Sequence, residues 1–129
     1  MVYKMNYTGV NEAMSRDPLP DGSYNVKIEK IDEKIAKSGR PLIKVRYKVI
    51  SGPHAGRLIF DYVVLFAGGE PGAGMTMHFL KVIGQPHEGN FDVEPKNWID
   101  KELSVSVITD PAYNSNKVKA REKLEEIPF

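Results

Sequence analysis

The sequence contains no cysteine and no long apolar run, and these absences exclude several classes of protein. Without cysteine there are no disulfides and no thiolate metal sites, so an intracellular location is the simplest interpretation. No stretch approaches the roughly 18 apolar residues of a transmembrane helix. Residues 1–17 also lack the apolar segment of a signal peptide. We therefore expect a cytoplasmic protein that does not contact membranes.

Catalytic and metal-binding motifs are lacking as well. His54, His78 and His87 lie in different predicted elements, with neither HxxxH nor HExxH spacing. The glycine-rich residues 67–74 lack the GK[ST] sequence of a P-loop, and we interpret them as a mobile loop. No GxSxG sequence occurs. We therefore expect a non-enzymatic protein without a cofactor or a metal.

Positive and negative charges are segregated along the chain, although the net charge is only +1. Residues 24–57 contain nine Lys or Arg against three Asp or Glu. Residues 58–110 contain three against eight. A basic first half can attract a polyanion even when the whole chain is nearly neutral.

Alternating apolar and polar residues predict one all-β domain with a single short helix, over residues 21–122. An N-terminal arm, residues 1–20, precedes it, and an acidic tail, residues 123–129, follows it. The first strand starts at Tyr24, and a slip of its apolar phase between Ile28 and Ile31 predicts a β-bulge. Later strands are predicted at residues 42–49, 57–66, 103–107 and 117–123, with the helix at 75–83.

Three strands, a helix and two further strands follow the order of the OB-fold. That fold is a five-stranded Greek-key barrel whose helix lies between strands three and four. We interpret Tyr47 as a core residue and Trp98 as a plug. On the fifth strand, Val118 and Ala120 are predicted to face inward.

The second strand carries the strongest binding signal. Lys44, Arg46 and Lys48 alternate with apolar residues and share one outward face. With the flanking turns, the candidate cations are Lys34, Lys37, Arg40, Lys44, Arg46, Lys48 and Arg57. Such a face is either a solvated surface that blocks edge pairing or a surface that neutralises phosphates.

Two aromatic residues, Phe60 and Tyr62, alternate on the third strand beside these cations. Either they or Asp61 and Val63 share the cationic face, and the pattern leaves both arrangements open. Facing inward, the aromatic rings would fill the core. Facing outward, they would form a stacking platform for the bases of single-stranded nucleic acid.

The turns between these strands carry a family resemblance. Their motifs are Pro20, Gly22 and Tyr24; Lys37, Ser38, Gly39 and Pro41; Gly52, Pro53, Gly56 and Arg57; and Phe60 with Asp61. Roughly residues 18–121 resemble a family of small phage-encoded single-stranded DNA-binding proteins with an OB-fold. The resemblance implies binding of single-stranded DNA without sequence preference in phage replication or recombination, in the host cytoplasm. Stacking by Tyr62 is inferred from the strand pattern alone.

The last residues carry a second resemblance. Glu125, Glu126, Ile127, Pro128 and Phe129 are similar to the tail of bacterial single-stranded DNA-binding proteins. Those tails recruit replication and repair enzymes, so the resemblance implies such partners here. A terminal Phe and carboxylate can dock in an apolar pocket with a basic rim, while the acids steer the encounter.

Two other functions fit the same pattern. The domain could be an OB-fold adaptor whose ligand is another replication protein, or a small structural phage protein that does not bind DNA. A free barrel edge would also permit a homodimer, which nothing in the sequence specifies.

Overall fold

The computed structural model describes residues 1–6, 8, 18–112 and 115–124. It confirms a mainly β chain with one α-helix between the third and fourth strands. The elements are β1 (Gly22–Ile35), β2 (Pro41–Val49), β3 (Leu58–Val64), α1 (Ala73–Val82), a 3-10 helix (Pro95–Trp98), β4 (Glu102–Asp110) and β5 (Ser115–Glu122). Over these described ranges, no helix is long and apolar enough to cross a membrane.

The strands form one antiparallel sheet in the order β3-β2-β1-β4-β5. β1 is central, and β3 and β5 are the two outer strands. Within the described parts of these strands, β3 and β5 do not pair with each other through their backbones. The sheet therefore has two edges, and strand pairing alone does not close it into a barrel.

A β-bulge divides β1, as the slip in the sequence pattern predicts. Before the bulge Ile28 lies opposite Tyr47, and after it Lys30 lies opposite Arg46. The additional residue, Glu29, resets the alternation of inward and outward side chains. Ile31 consequently returns to the inner side, where it packs against the core.

The inner face of the sheet carries the hydrophobic core. Its largest buried side chain, Trp98, is fully buried and meets Phe79 of α1 edge-on, with 5.0 Å between ring centroids. The interpretations of Tyr47 as core and Trp98 as a plug are thus confirmed, since both have 0% exposure. Leu19, at the end of the predicted arm, is also buried, and its backbone exchanges two hydrogen bonds with the Asn116 side chain.

One inward assignment on β5 is wrong. Val118 packs against the core as predicted, but Ala120 lies opposite Ser106, whose side chain bonds to Ser23 on the outer face. The reason is a second register shift, in which Lys119 of β5 is the additional residue between the pairs Ser106–Ala120 and Val107–Val118. After the shift it is Arg121 that takes the inward position.

Arg121 uses this position to join the two sheet edges. Its Nε and Nη2 atoms each donate to Asp61 of β3, at 2.6 Å, and the Tyr47 hydroxyl donates to the same carboxylate at 2.8 Å. We call Tyr47, Asp61 and Arg121 the latch. Burial, reinforced by the charge of Asp61, raises the pKa of Tyr47 well above its usual value, so its hydroxyl remains a donor. The latch thus links β2, β3 and β5 by side chains where β3 and β5 lack backbone pairing.

The variant Asp61→Asn is expected to lower the free energy of unfolding by about 3 kcal/mol, because it leaves the largely buried Arg121 without a counter-charge. Urea unfolding at neutral pH measures this loss. Glu29→Gln is the matched control, since its ion pair with Arg46 is about one-third exposed on both sides and is expected to contribute less than about 1 kcal/mol. Equal losses in the two variants would contradict the role of the latch.

Candidate nucleic-acid interface

The outward faces of β2 and β3 form one continuous surface. The strand register places Lys44 opposite Tyr62 and Arg46 opposite Phe60. Phe60 and Tyr62 are 48% and 55% exposed, whereas Asp61 between them is 7% exposed. The alternative left open by the sequence is therefore resolved, because the aromatic rings face outward beside the cations and Asp61 faces inward to the latch.

A third cation–aromatic pair continues this surface beyond the end of β3. The Leu65 amide donates to the Pro41 carbonyl at 3.0 Å, which extends the antiparallel ladder by one step. At the next step the Arg40 guanidinium lies over the Phe66 ring, 5.1 Å from its centroid. Phe66 is not among the residues predicted from the sequence, although it falls in the same alternating series as Phe60 and Tyr62.

We call these six residues the cation–aromatic face: Arg40, Lys44, Arg46, Phe60, Tyr62 and Phe66. Its pairs also touch diagonally, since the Lys44 Nζ atom lies 5.4 Å from the centroid of the Phe60 ring. Exposed contacts of this kind are worth about 0.5–1 kcal/mol. Each aromatic ring thus lies within reach of a positive charge, so that one ligand could contact a ring and a cation together.

Other predicted cations surround this face rather than lie within it. Lys34 of β1 is opposite Leu42, and Lys48 of β2 is opposite Leu58. Both lysines lie on the outward side of the sheet. Lys37 and Arg57 lie near the two turns that flank β2, at opposite ends of that strand. Strand pairing adds two cations that are not among the predicted residues: Lys27, opposite Lys48, and Lys30, opposite Arg46.

Acidic side chains also approach the face, which the order of the sequence does not reveal. Glu29 of β1 pairs with the Nε atom of Arg46 at 3.1 Å. Glu70, from the loop after β3, forms an ion pair with Arg40. Two of the predicted cations are therefore partly neutralised, and the face is less positive than its cations alone would indicate.

The glycine-rich loop is tied down by Glu70, which the sequence pattern does not predict. One Glu70 oxygen accepts the Ala67 amide at 2.7 Å, and the other accepts Arg40 Nε at 2.6 Å. The hydrogen bond from Arg40, followed by that from Ala67, holds the pKa of Glu70 below its usual value. Gly72 lies so close to Phe66 that a Cβ atom there would meet the ring at 2.6 Å. The loop is thus a folded support for Arg40 and Phe66.

The histidines do not converge on a site. His78 Nε2 bonds to the Arg121 carbonyl at 2.8 Å, and His54 meets the Tyr24 ring edge-on at 5.9 Å. In the part of the chain that the structure describes, no group of three or more His, Cys, Asp or Glu residues could hold a metal ion.

The predicted partner-binding residues, 125–129, lie outside the described residues. With the geometry of the face in place, comparison with known families adds one finding: a family profile matches residues 6–124. The chain belongs to the DUF669 family. That family is described as "Protein of unknown function (DUF669)". No curated protein matches the chain.

Gly72→Ala is expected to destabilise the protein by about 1–3 kcal/mol, because the added methyl group would push Phe66 out of its position. Urea or thermal unfolding measures the change. Gly74→Ala is the matched control, since no heavy atom beyond its chain neighbours and the adjacent helix backbone lies within 4 Å of its Cβ position, and it belongs to α1. There the substitution should be stabilising, by up to about 1 kcal/mol. Similar effects of the two substitutions would contradict the packing of Phe66 against Gly72.

Proposed function

We propose that this DUF669 protein binds single-stranded DNA without strong sequence preference and is not an enzyme. The observation that carries the proposal is the cation–aromatic face, in which Phe60 and Tyr62 are about half exposed beside Arg46 and Lys44. Bases of every sequence have a flat ring that can stack on an aromatic side chain, while cations neutralise the phosphates. A strand face that is merely solvated would account for the cations, but it would not account for exposed aromatic rings in register with them.

We further propose that the sheet curves into an OB-fold barrel. The helix between the third and fourth strands and the meander of β1, β2 and β3 support this assignment. So does the latch, because Asp61 and Arg121 bring the two edge strands β3 and β5 together by a side-chain contact. The barrel would bend the outward face of β2 and β3 without interrupting it.

The biological setting that we propose is phage DNA replication or recombination in the cytoplasm of the host cell. The turn motifs of residues 19–65 support it, because they resemble those of phage-encoded single-stranded DNA-binding proteins. The tail, residues 125–129, would recruit replication and recombination enzymes to the coated strand. This part of the proposal rests on the sequence of the tail alone.

The DNA-binding proposal is tested by fluorescence anisotropy with oligo-dT and with a duplex, at about 50 and 200 mM salt, a range over which phosphate-binding proteins lose much of their affinity. We expect tighter binding to oligo-dT and a steep loss of affinity with salt. Phe60→Ala and Tyr62→Ala should each raise the Kd about tenfold, since stacking contributes roughly 1–3 kcal/mol per base.

Met77→Ala, which truncates a 47% exposed side chain on α1, serves as the control and should leave the Kd unchanged. An affinity for oligo-dT that does not depend on salt would contradict the proposed mode of binding, and so would equal affinity for the duplex. A protein that binds no DNA but still binds partners through its tail would be an adaptor. One that binds neither and assembles into large oligomers would be a structural phage protein.

Deletion of Ile127–Phe129 should leave the Kd for oligo-dT unchanged and abolish partner binding, because it removes the apolar side chains of the proposed docking segment. The measurement is a pull-down with purified bacterial enzymes that bind the tails of bacterial single-stranded DNA-binding proteins. Phe91→Ala is the control, since it removes an exposed ring outside the tail. Partner binding that survives the deletion would rule out the tail as the recruiting segment.

A further inference from the structure

The Arg40–Phe66 pair differs from the other two pairs of the cation–aromatic face, because its ring is less exposed and packs against the backbone as well as against a cation. The Phe66 ring is covered by the Arg40 guanidinium, at 5.1 Å, and by the backbone at Gly72. Phe60 and Tyr62, by contrast, are about half exposed. The third ring has the position of a stacking platform but is only partly exposed in this structure, and we call this arrangement closed.

Glu70 holds this closed arrangement in place. Its carboxylate accepts a hydrogen bond from Arg40 Nε at 2.6 Å and forms an ion pair with the Nη2 atom of the same side chain. The Arg40 and Glu70 side chains are 36% and 28% exposed, so an anion in solvent can reach the guanidinium. When Arg40 leaves, the carboxylate keeps the hydrogen bond from the Ala67 amide, and this lowers the cost of separating the pair.

We propose that Arg40 and Phe66 form a third nucleotide position of the DNA interface, and that Glu70 closes it until a phosphate of the bound strand displaces Glu70 from Arg40. This proposal rests on the proposed function. Guanidinium groups bind phosphates and carboxylates with the same forked geometry, so the two anions compete for one site. Once Arg40 follows the phosphate, the Phe66 ring is uncovered for a base.

The exchange has a consequence for the salt dependence of binding. When a free cation of the protein neutralises a phosphate, a counterion condensed on the DNA is released, and each such contact on single-stranded DNA adds about 0.7 to the salt slope. A phosphate that reaches Arg40 also releases a counterion of the DNA, but it leaves the Glu70 carboxylate unpaired, and a cation attracted to that carboxylate from solution offsets the release. Arg40 should therefore add little to the salt slope until Glu70 is neutralised.

A double-mutant cycle of Glu70→Gln and Arg40→Gln, read by anisotropy with oligo-dT at two salt concentrations, tests this device. In the Arg40 background, Glu70→Gln should tighten binding about fivefold or more and steepen the salt slope by about 0.7. In the Arg40→Gln background, Glu70→Gln should change the Kd and the salt slope no more than the control Glu88→Gln does. That control removes one charge from the loop after α1, where the Glu88 side chain is 81% exposed.

Phe66→Leu provides a second readout that keeps Arg40 and Glu70. It should weaken the Glu70→Gln variant about tenfold, because a stacked base is lost. Circular dichroism at the titration temperature checks that each variant is folded. If the wild-type chain binds no oligo-dT, the proposed function fails and this inference fails with it. If the wild-type chain binds, but Glu70→Gln acts equally with and without Arg40, only the third position is rejected.

Discussion

The latch of Tyr47, Asp61 and Arg121 is the interaction on which the rest of the structure depends. It places a carboxylate on the inner face of β3, where charge is tolerated only because four hydrogen bonds satisfy it: one from the Tyr47 hydroxyl, one from the Tyr62 amide and two from Arg121. Since side chains alternate along a strand, an inward Asp61 requires Phe60 and Tyr62 to point outward. A slip of β3 by one residue would bury both rings and expose the charge, so the latch fixes the register of the candidate interface.

Cationic side chains and the acidic side chains that partly neutralise them lie on the same outward surface. β1 contributes Lys27 and Lys30 to the outward side, but also Glu29, which pairs with Arg46. Partly exposed pairs of this kind are weak and exchange readily, so a phosphate can compete for the cation. Acids beside a binding face therefore lower its affinity for any polyanion while preserving the geometry of its cations.

The sequence predicts the parts of this arrangement that depend on local alternation. β2 is regular, so the inward Tyr47 and the outward Lys44 follow directly from its pattern, as does the bulge that resets β1 at Ile31. The sequence does not decide which side of β3 faces inward, because apolar residues occupy both sides of that strand and the partner of Asp61 lies far along the chain. Ala120 was misassigned for a related reason, since a register shift on β5 leaves no mark in a strand this short. Pairing of Glu29 and Glu70 with arginines likewise depends on contacts between elements.

The distance along the chain between the members of the latch has a consequence for folding. Arg121 lies 60 residues after Asp61. During synthesis, the hairpins of β1, β2 and β3 can form early, because their contacts are local. Asp61 then has no counter-charge until β5 has left the ribosome, so the edge of the growing sheet at β3 remains charged. A carboxylate on that edge discourages pairing with other nascent chains, and the last strand to be made removes it from water.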